Sequence, residues 1–268
     1  MFNRIIVRNR ARHPLIHCID NHVTSNDCAN LLLGCGASPI MAEAPEEVSE
    51  ITSGCDGLVL NLGTPSTGKI EAMCLAGQRA GQLGHPIVFD PVGVGASSFR
   101  RAAARRILDT VPVTVIRGNA GELEVLYTDR PVPGGVDAPE HEAEGIIHMA
   151  RRVAQQRKAV VVVSGAEDIV TDGTTLYLVR NGTPMMRLVT GTGCMLSALT
   201  GAYLAACPES PLIAALAAVC AHGICGQWAA RRLSPTEGNA SFRTYLLDAL
   251  SVLTDETLEK EALYEKIY

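Results

Sequence analysis

With 268 residues, 47% of them hydrophobic and 19% charged, the chain is long enough for one large α/β domain over residues 1–268, with little left over for a second. A net charge of -5 and a pI near 5.8 exclude bulk electrostatic capture of nucleic acid or of an anionic membrane, while leaving room for a local basic pocket. Nine cysteines, scattered from Cys18 to Cys225 with no C-x-x-C pair, fit neither a disulfide framework nor a structural zinc site and read as reduced thiols in a cytoplasmic protein.

The stretch from Met1 to Arg12 carries four arginines and no apolar run, so it is not a secretory signal. Short runs rich in valine, isoleucine and leucine then recur at Pro14–Ile19, Gly57–Asn61, Pro86–Asp90, Val113–Arg117 and Ala159–Ser164, the pattern of parallel strands buried on both faces. Between them, Asn26–Cys35, Pro45–Ser53, Lys69–Leu83, Phe99–Asp109 and Glu142–Gln156 read as crossover helices. Pro131–Pro139 reads as a long surface loop. Asp172-Gly173 marks a turn between Asp168–Thr171 and Thr174–Val179, an antiparallel hairpin at one edge. From Gly193 onward the pattern is helical, with Met195–Ala206 and Pro211–Ala230 as the main stretches. Leu212–Ile224 is apolar but interrupted by His222 and Gly223, short of the ~20 residues of a membrane span, and reads as a buried helix. The alternation predicts a three-layer αβα fold with a mostly parallel central sheet and an antiparallel edge hairpin.

In open α/β sheets ligands bind beyond the carboxyl ends of the strands, which directs attention to Asn21, Asn61, Asp90, Arg117 and Ser164. The strongest local signal is Val189-Thr-Gly-Thr-Gly-Cys194 before a helix. Two glycines allow close backbone approach, and free N–H groups with the helix dipole favour an anion; a tight turn without a ligand fits the same residues. Cys194 in the first turn is either a thiol with lowered pKa that orients or deprotonates a hydroxyl, or a buried inert cysteine. Asp90, followed by Pro91-Val-Gly-Val-Gly95, could hold Mg²⁺ through water. Asn119 and Glu122 form an N-x-x-E pattern suited to a hydrated magnesium ion, and Glu122 is equally an ordinary first-turn acid. Arg117 offers a fork of donors to phosphate. Ser164-Gly165 is a strand end with a hydroxyl, or a plain turn. His17 and His22 read as structural, and no H-x-x-x-H pair supports zinc catalysis.

Pro14-Leu-Ile-His-Cys-Ile-Asp-Asn21, Ala29-Asn30, Gly36-Ala-Ser-Pro-Ile-Met41, Asn61-Leu-Gly-Thr64, Asp90-Pro-Val-Gly-Val-Gly-Ala96, Arg117-Gly-Asn119 and Thr190-Gly-Thr-Gly-Cys194 resemble the signature blocks of hydroxyethylthiazole kinases, in order and over most of the chain. The resemblance implies a ribokinase-like fold and transfer of the γ-phosphoryl group of ATP to 4-methyl-5-(2-hydroxyethyl)thiazole with Mg²⁺. It further implies that Met41, Gly191 and Asn21 contact the thiazole, that Arg117 and Ser164 bind ATP, that Asp90 and Glu122 organise magnesium, and that Cys194 is the catalytic base. A homotrimer with sites between subunits is implied as well. Asp20 stands where the family commonly has threonine, which bears on substrate scope. The rival readings are a hydroxymethylpyrimidine or pyridoxal kinase, an ATP-dependent dehydratase of hydrated nicotinamide nucleotides on the same fold, and a non-catalytic thiazole or nucleotide sensor.

Overall fold

A computed structural model describes residues 1–130 and 143–268; the expected Pro131–Pro139 loop lies outside them. Each of the five apolar runs forms a strand: β1 (Leu15–Ile19), β3 (Gly57–Asn61), β4 (Ile87–Asp90), β5 (Val115–Asn119) and β6 (Val160–Ser164). All residues of β3 and β4 are buried, as expected for strands covered on both faces. A three-residue strand, β2 (Ser38–Ile40), pairs outside β1. The sheet ends in an antiparallel stretch of β7 (Asp168–Thr171), β8 (Leu176–Val179) and β9 (Tyr264–Lys266). The turn of the expected hairpin is made by Asp172, whose carboxylate accepts the N–H groups of Thr174 and Thr175 at 2.8 and 2.7 Å, with Gly173 at φ 92°.

Among the described residues the nine strands lie in the order β2-β1-β3-β4-β5-β6-β7-β8-β9. The chain leaves β1 outward to β2 and returns inward to β3, so the crevice between the carboxyl ends of β1 and β3 is the topological switch point where such sheets bind ligands. One face is covered by α3 (Val48–Ser53), α4 (Thr67–Leu83), α5 (Ser98–Thr110), α6 (Ala120–Thr128) and α7 (Ala143–Arg157). The other is covered by α1 (Ile5–Arg12), α2 (Ser25–Cys35), α8 (Thr192–Ala206), α9 (Pro211–Arg232), α10 (Asn239–Val252) and α11 (Asp255–Glu261). The arginine-bearing N-terminal stretch is thus a helix, which its composition did not announce. Phe2, Ile5 and Ile6 are buried, and Asp255 accepts the N–H groups of Ile6 and Val7 at 3.0 and 2.9 Å.

Helix α9 runs for 22 residues through His222 and Gly223 without a break. By length and composition it could cross a membrane, yet 78% of its apolar window is buried inside the protein. Gly223 is packed so closely on Asn181 that a Cβ there would fall 2.6 Å from the Asn181 side chain. Helix α8 lies flat across β1, β3 and β4. Gly201 permits this, since a Cβ would meet Val59 Cγ2 at 2.6 Å. Val59 is a stiff β-branched strand residue with little room to give, so Gly201→Ala is expected to destabilise by about 1–3 kcal/mol, read as a lower denaturant midpoint with unchanged slope.

Candidate active site

The register of the sheet aligns Asn61 of β3 with Asp90 of β4, and the first turns of α8 cover both. Asp90, which ends β4 before Pro91, is fully buried. Its Oδ2 accepts from Ser197 Oγ at 2.7 Å and from Asn61 Nδ2 at 3.1 Å, with Arg117 Nη1 at 3.7 Å, while its Oδ1 has no partner. Burial pushes the carboxyl up to about 7 against the pull of Arg117, and the charge of Glu122 adds to the rise. Ser197 was not singled out from sequence. Its place three residues after Cys194 on the same helical face was the available signal.

Asn21 is the hub next to it. Its Nδ2 lies 2.7 Å from Thr24 Oγ1, 3.0 Å from Asn61 Oδ1, 3.3 Å from Asp20 Oδ1 and 3.4 Å from Cys194 Sγ, so two amide hydrogens are shared among four acceptors. Its Oδ1 accepts the N–H groups of Val23 and Thr24, an Asx turn that starts α2. Asn61 Oδ1 also accepts the N–H of Gly63 at 2.9 Å. A hydrogen-bonded chain therefore runs from Asp90 through Asn61 and Asn21 to Cys194.

Cys194 sits in the first turn of α8, where a lowered pKa was expected. The structure reverses that expectation: burial pushes the thiol up to about 12, with the Asp90 charge adding to it. Desolvation and a neighbouring carboxylate outweigh the free N–H groups of the helix end. At neutral pH the group is a thiol.

The glycine loop before it requires its glycines. Gly191 has φ 88°, and a Cβ there would lie 2.5 Å from Thr24 Cγ2. A Cβ on Gly193 would fall on the guanidinium of Arg117, so loop and arginine are in direct contact. Arg117 Nη2 donates to Ser164 Oγ at 2.5 Å, and its Nε is buried without a partner. Asn119 and Glu122 form a capping box at the start of α6. Glu122 Oε2 accepts the Asn119 N–H and Oε1 accepts the Gly93 N–H, both at 2.9 Å. The acid thus fastens the loop after β4 to α6 as well as bearing charge near Asp90.

Asp168, which sequence reasoning passed over, accepts the N–H of Gly165 at 2.8 Å; burial raises its carboxyl to about 6 against the Gly165 bond and Arg117. His222 is neutral, held down to about 3 by burial and by Arg117. His17 is a satisfied core residue, bonded to Thr52 Oγ1 and the Ala42 carbonyl at 2.9 Å each, and His22 is exposed. Of the residues expected at the site, Asn21, Asp90, Arg117, Glu122, Ser164, Gly191 and Cys194 come together. Met41 lies one residue beyond β2 and is 36% exposed. Among the described residues no three His, Cys, Asp or Glu side chains converge to hold a metal directly; the buried, unpartnered Asp90 Oδ1 fits a cation bound through water.

This sheet, with its switch-point crevice and glycine loop, defines a ribokinase-like fold. A ribokinase-like superfamily protein from Enterococcus faecalis superposes with a TM-score of 0.61 at 13% identity, over 90% of this chain and 89% of that one. The kinship is closer elsewhere. A model of the hydroxyethylthiazole kinase family matches residues 6–256, and the hydroxyethylthiazole kinase of Clostridium acetobutylicum is 48% identical over 262 residues, 96% of each chain. The structure of a hydroxyethylthiazole kinase protein from Pyrococcus horikoshii has a TM-score of 0.89 at 36% identity, covering 100% of this chain and 99% of that one. The chain belongs to the hydroxyethylthiazole kinase family.

The raised carboxyl of Asp90 makes a signed prediction for the metal-free protein. An unfolded aspartate ionises near 3.8 and the folded one near 7, so between these values the native state holds the extra proton and stability falls as pH rises. Thermal midpoints measured from pH 4 to 7 are expected to show this decline in the wild type, and a smaller decline in Asp90→Asn.

Proposed function

We propose that this chain is a single-domain cytoplasmic kinase that transfers the γ-phosphoryl group of ATP to the primary hydroxyl of 4-methyl-5-(2-hydroxyethyl)thiazole, a salvage step toward thiamine phosphate. The observation that carries the assignment of roles is the first turn of α8, where the glycine loop packs on Arg117 and Cys194 stands beside Asn21. Free N–H groups at that turn, aided by the dipole, receive the phosphate that is being transferred. Arg117, with its unpartnered Nε, and the Ser164 hydroxyl bind the nucleotide phosphates. Gly191 leaves its backbone open to the thiazole, with Asn21 and Met41 on the acceptor side.

Magnesium held through water by Asp90 Oδ1 and by Glu122 would neutralise the phosphate charge. Asp90 faces the acceptor through the asparagine pair, and Cys194 orients the hydroxyl. A thiol with pKa about 12 is a poor base before bond formation, so the hydroxyl proton leaves late, as a loose phosphoryl-transfer transition state permits. Positioning and charge neutralisation supply most of the acceleration. A homotrimer with sites between subunits agrees with the exposure of the apolar residues Val23, Met41 and Leu188. The nine free cysteines agree with a reducing compartment.

The test is ADP release by purified protein with Mg-ATP, comparing the hydroxyethylthiazole with hydroxymethylpyrimidine and pyridoxal and confirming the product by mass. Thiazole-dependent ADP with phosphorylated thiazole is expected; ATP binding without turnover on any alcohol would leave a sensor. Cys194→Ala is expected to lower kcat by about tenfold to a hundredfold, at or below the low end of acid–base contributions, with KM for ATP little changed. Unchanged turnover in Cys194→Ser would remove a direct role for the thiol.

A further inference from the structure

Lys69 is a buried lysine. It lies in the first turn of α4, its side chain 3% exposed, and its N–H is received by the capping hydroxyl of Ser66 at 3.1 Å. A lysine head group is costly to bury unless it is paired, and this one is used twice. Its Nζ donates to the main-chain carbonyl of Asp20 at 2.8 Å and pairs with Glu43 Oε2 at 2.8 Å. The Asp20 carboxylate is buried nearby, with its own contacts to Asn21 N, to Asn21 Nδ2 and to the Cys28 thiol. Outside, His22 Nε2 faces Glu43 at 3.9 Å.

The two groups that Lys69 joins belong to different segments. Asp20 follows β1 directly, before Asn21, and Glu43 lies two residues beyond Met41, in the loop between β2 and α3. That loop is also anchored to β1 by the bond from His17 to the Ala42 carbonyl. β2 has only three paired residues, so backbone pairing alone holds the loop loosely.

We propose that Lys69 is a positioning residue for the acceptor pocket: by tying the Asp20 carbonyl to the Glu43 carboxylate it fixes the Met41 loop against Asn21, and so sets affinity for the acceptor alcohol. This rests on the reading of Met41 and Asn21 as acceptor-binding residues. Lys69 touches neither nucleotide-side residue, Arg117 or Ser164, so its loss moves one substrate and spares the other.

The experiment measures KM for the hydroxyethylthiazole, KM for ATP and kcat in the full-length wild type, Lys69→Met, Glu43→Gln and Met41→Ala, with a thermal midpoint for each. Lys69→Met keeps the stem and removes the charge. It is expected to raise the thiazole KM at least about tenfold, a scale reached on losing a charged hydrogen bond, while kcat and KM for ATP stay within about twofold. Should Lys69→Met fail to fold, Glu43→Gln breaks the same tie from its exposed end and is expected to shift the thiazole KM alone, by a smaller factor. A thiazole KM unchanged in the tie variants while Met41→Ala raises it would overturn the latch and leave the site reading intact. An equal change in both KM values would also overturn the latch. No change in Met41→Ala would sink the acceptor-side reading, and the proposal with it.

Discussion

The site depends on a wholly buried carboxylate at the switch point of the sheet. Asp90 has one oxygen bound by Ser197 and Asn61 and the other without a partner. An ionised carboxylate in such a place is costly without compensation, and the surroundings divide that compensation unequally. Two neutral donors and a guanidinium at 3.7 Å serve one oxygen, and the second is left for a proton or a hydrated cation. Much of the site is organised by meeting this demand. Ser197 needs α8 to lie across β4, and Gly201 lets α8 come that close. Asn61 must turn its amide nitrogen toward Asp90, which presents its oxygen to Asn21, and Asn21 in turn reaches Cys194.

The same chain of contacts explains why Cys194 is a thiol. A helix N-terminus ordinarily favours a thiolate, but here the Cys194 side chain is buried and faces a carboxylate. The cysteine keeps its proton although it stands beside the free N–H groups of that turn. On the proposed function, the side chain most easily taken for a base from its position orients a hydroxyl instead, and geometry and charge around the phosphates supply the acceleration.

Much of the architecture was legible in the sequence because parallel strands buried on both faces leave continuous apolar runs, and the carboxyl ends of those runs pointed to Asn61, Asp90, Arg117 and Ser164. What escaped was of two kinds. β2 and β9 are three residues each, too short for periodicity to register, and they form only because a longer strand offers its edge. Ser197, Asp168, His222 and Lys69 sit in stretches whose local pattern fits an ordinary helix or hairpin, and their roles come from residues distant in the chain.

The sequence by itself determined the fold class, the five apolar core strands with the helices between them, and the family, because these follow from apolar periodicity and from motifs of adjacent residues. Only the tertiary structure decided the charge states and the pairings. It raised the Cys194 thiol and the Asp90 carboxyl, since burial depends on everything packed around a group. It also joined Lys69 to Asp20 and Glu43 across three elements. Desolvation and long-range contact are properties of the packed chain, and a linear string of residues does not carry them.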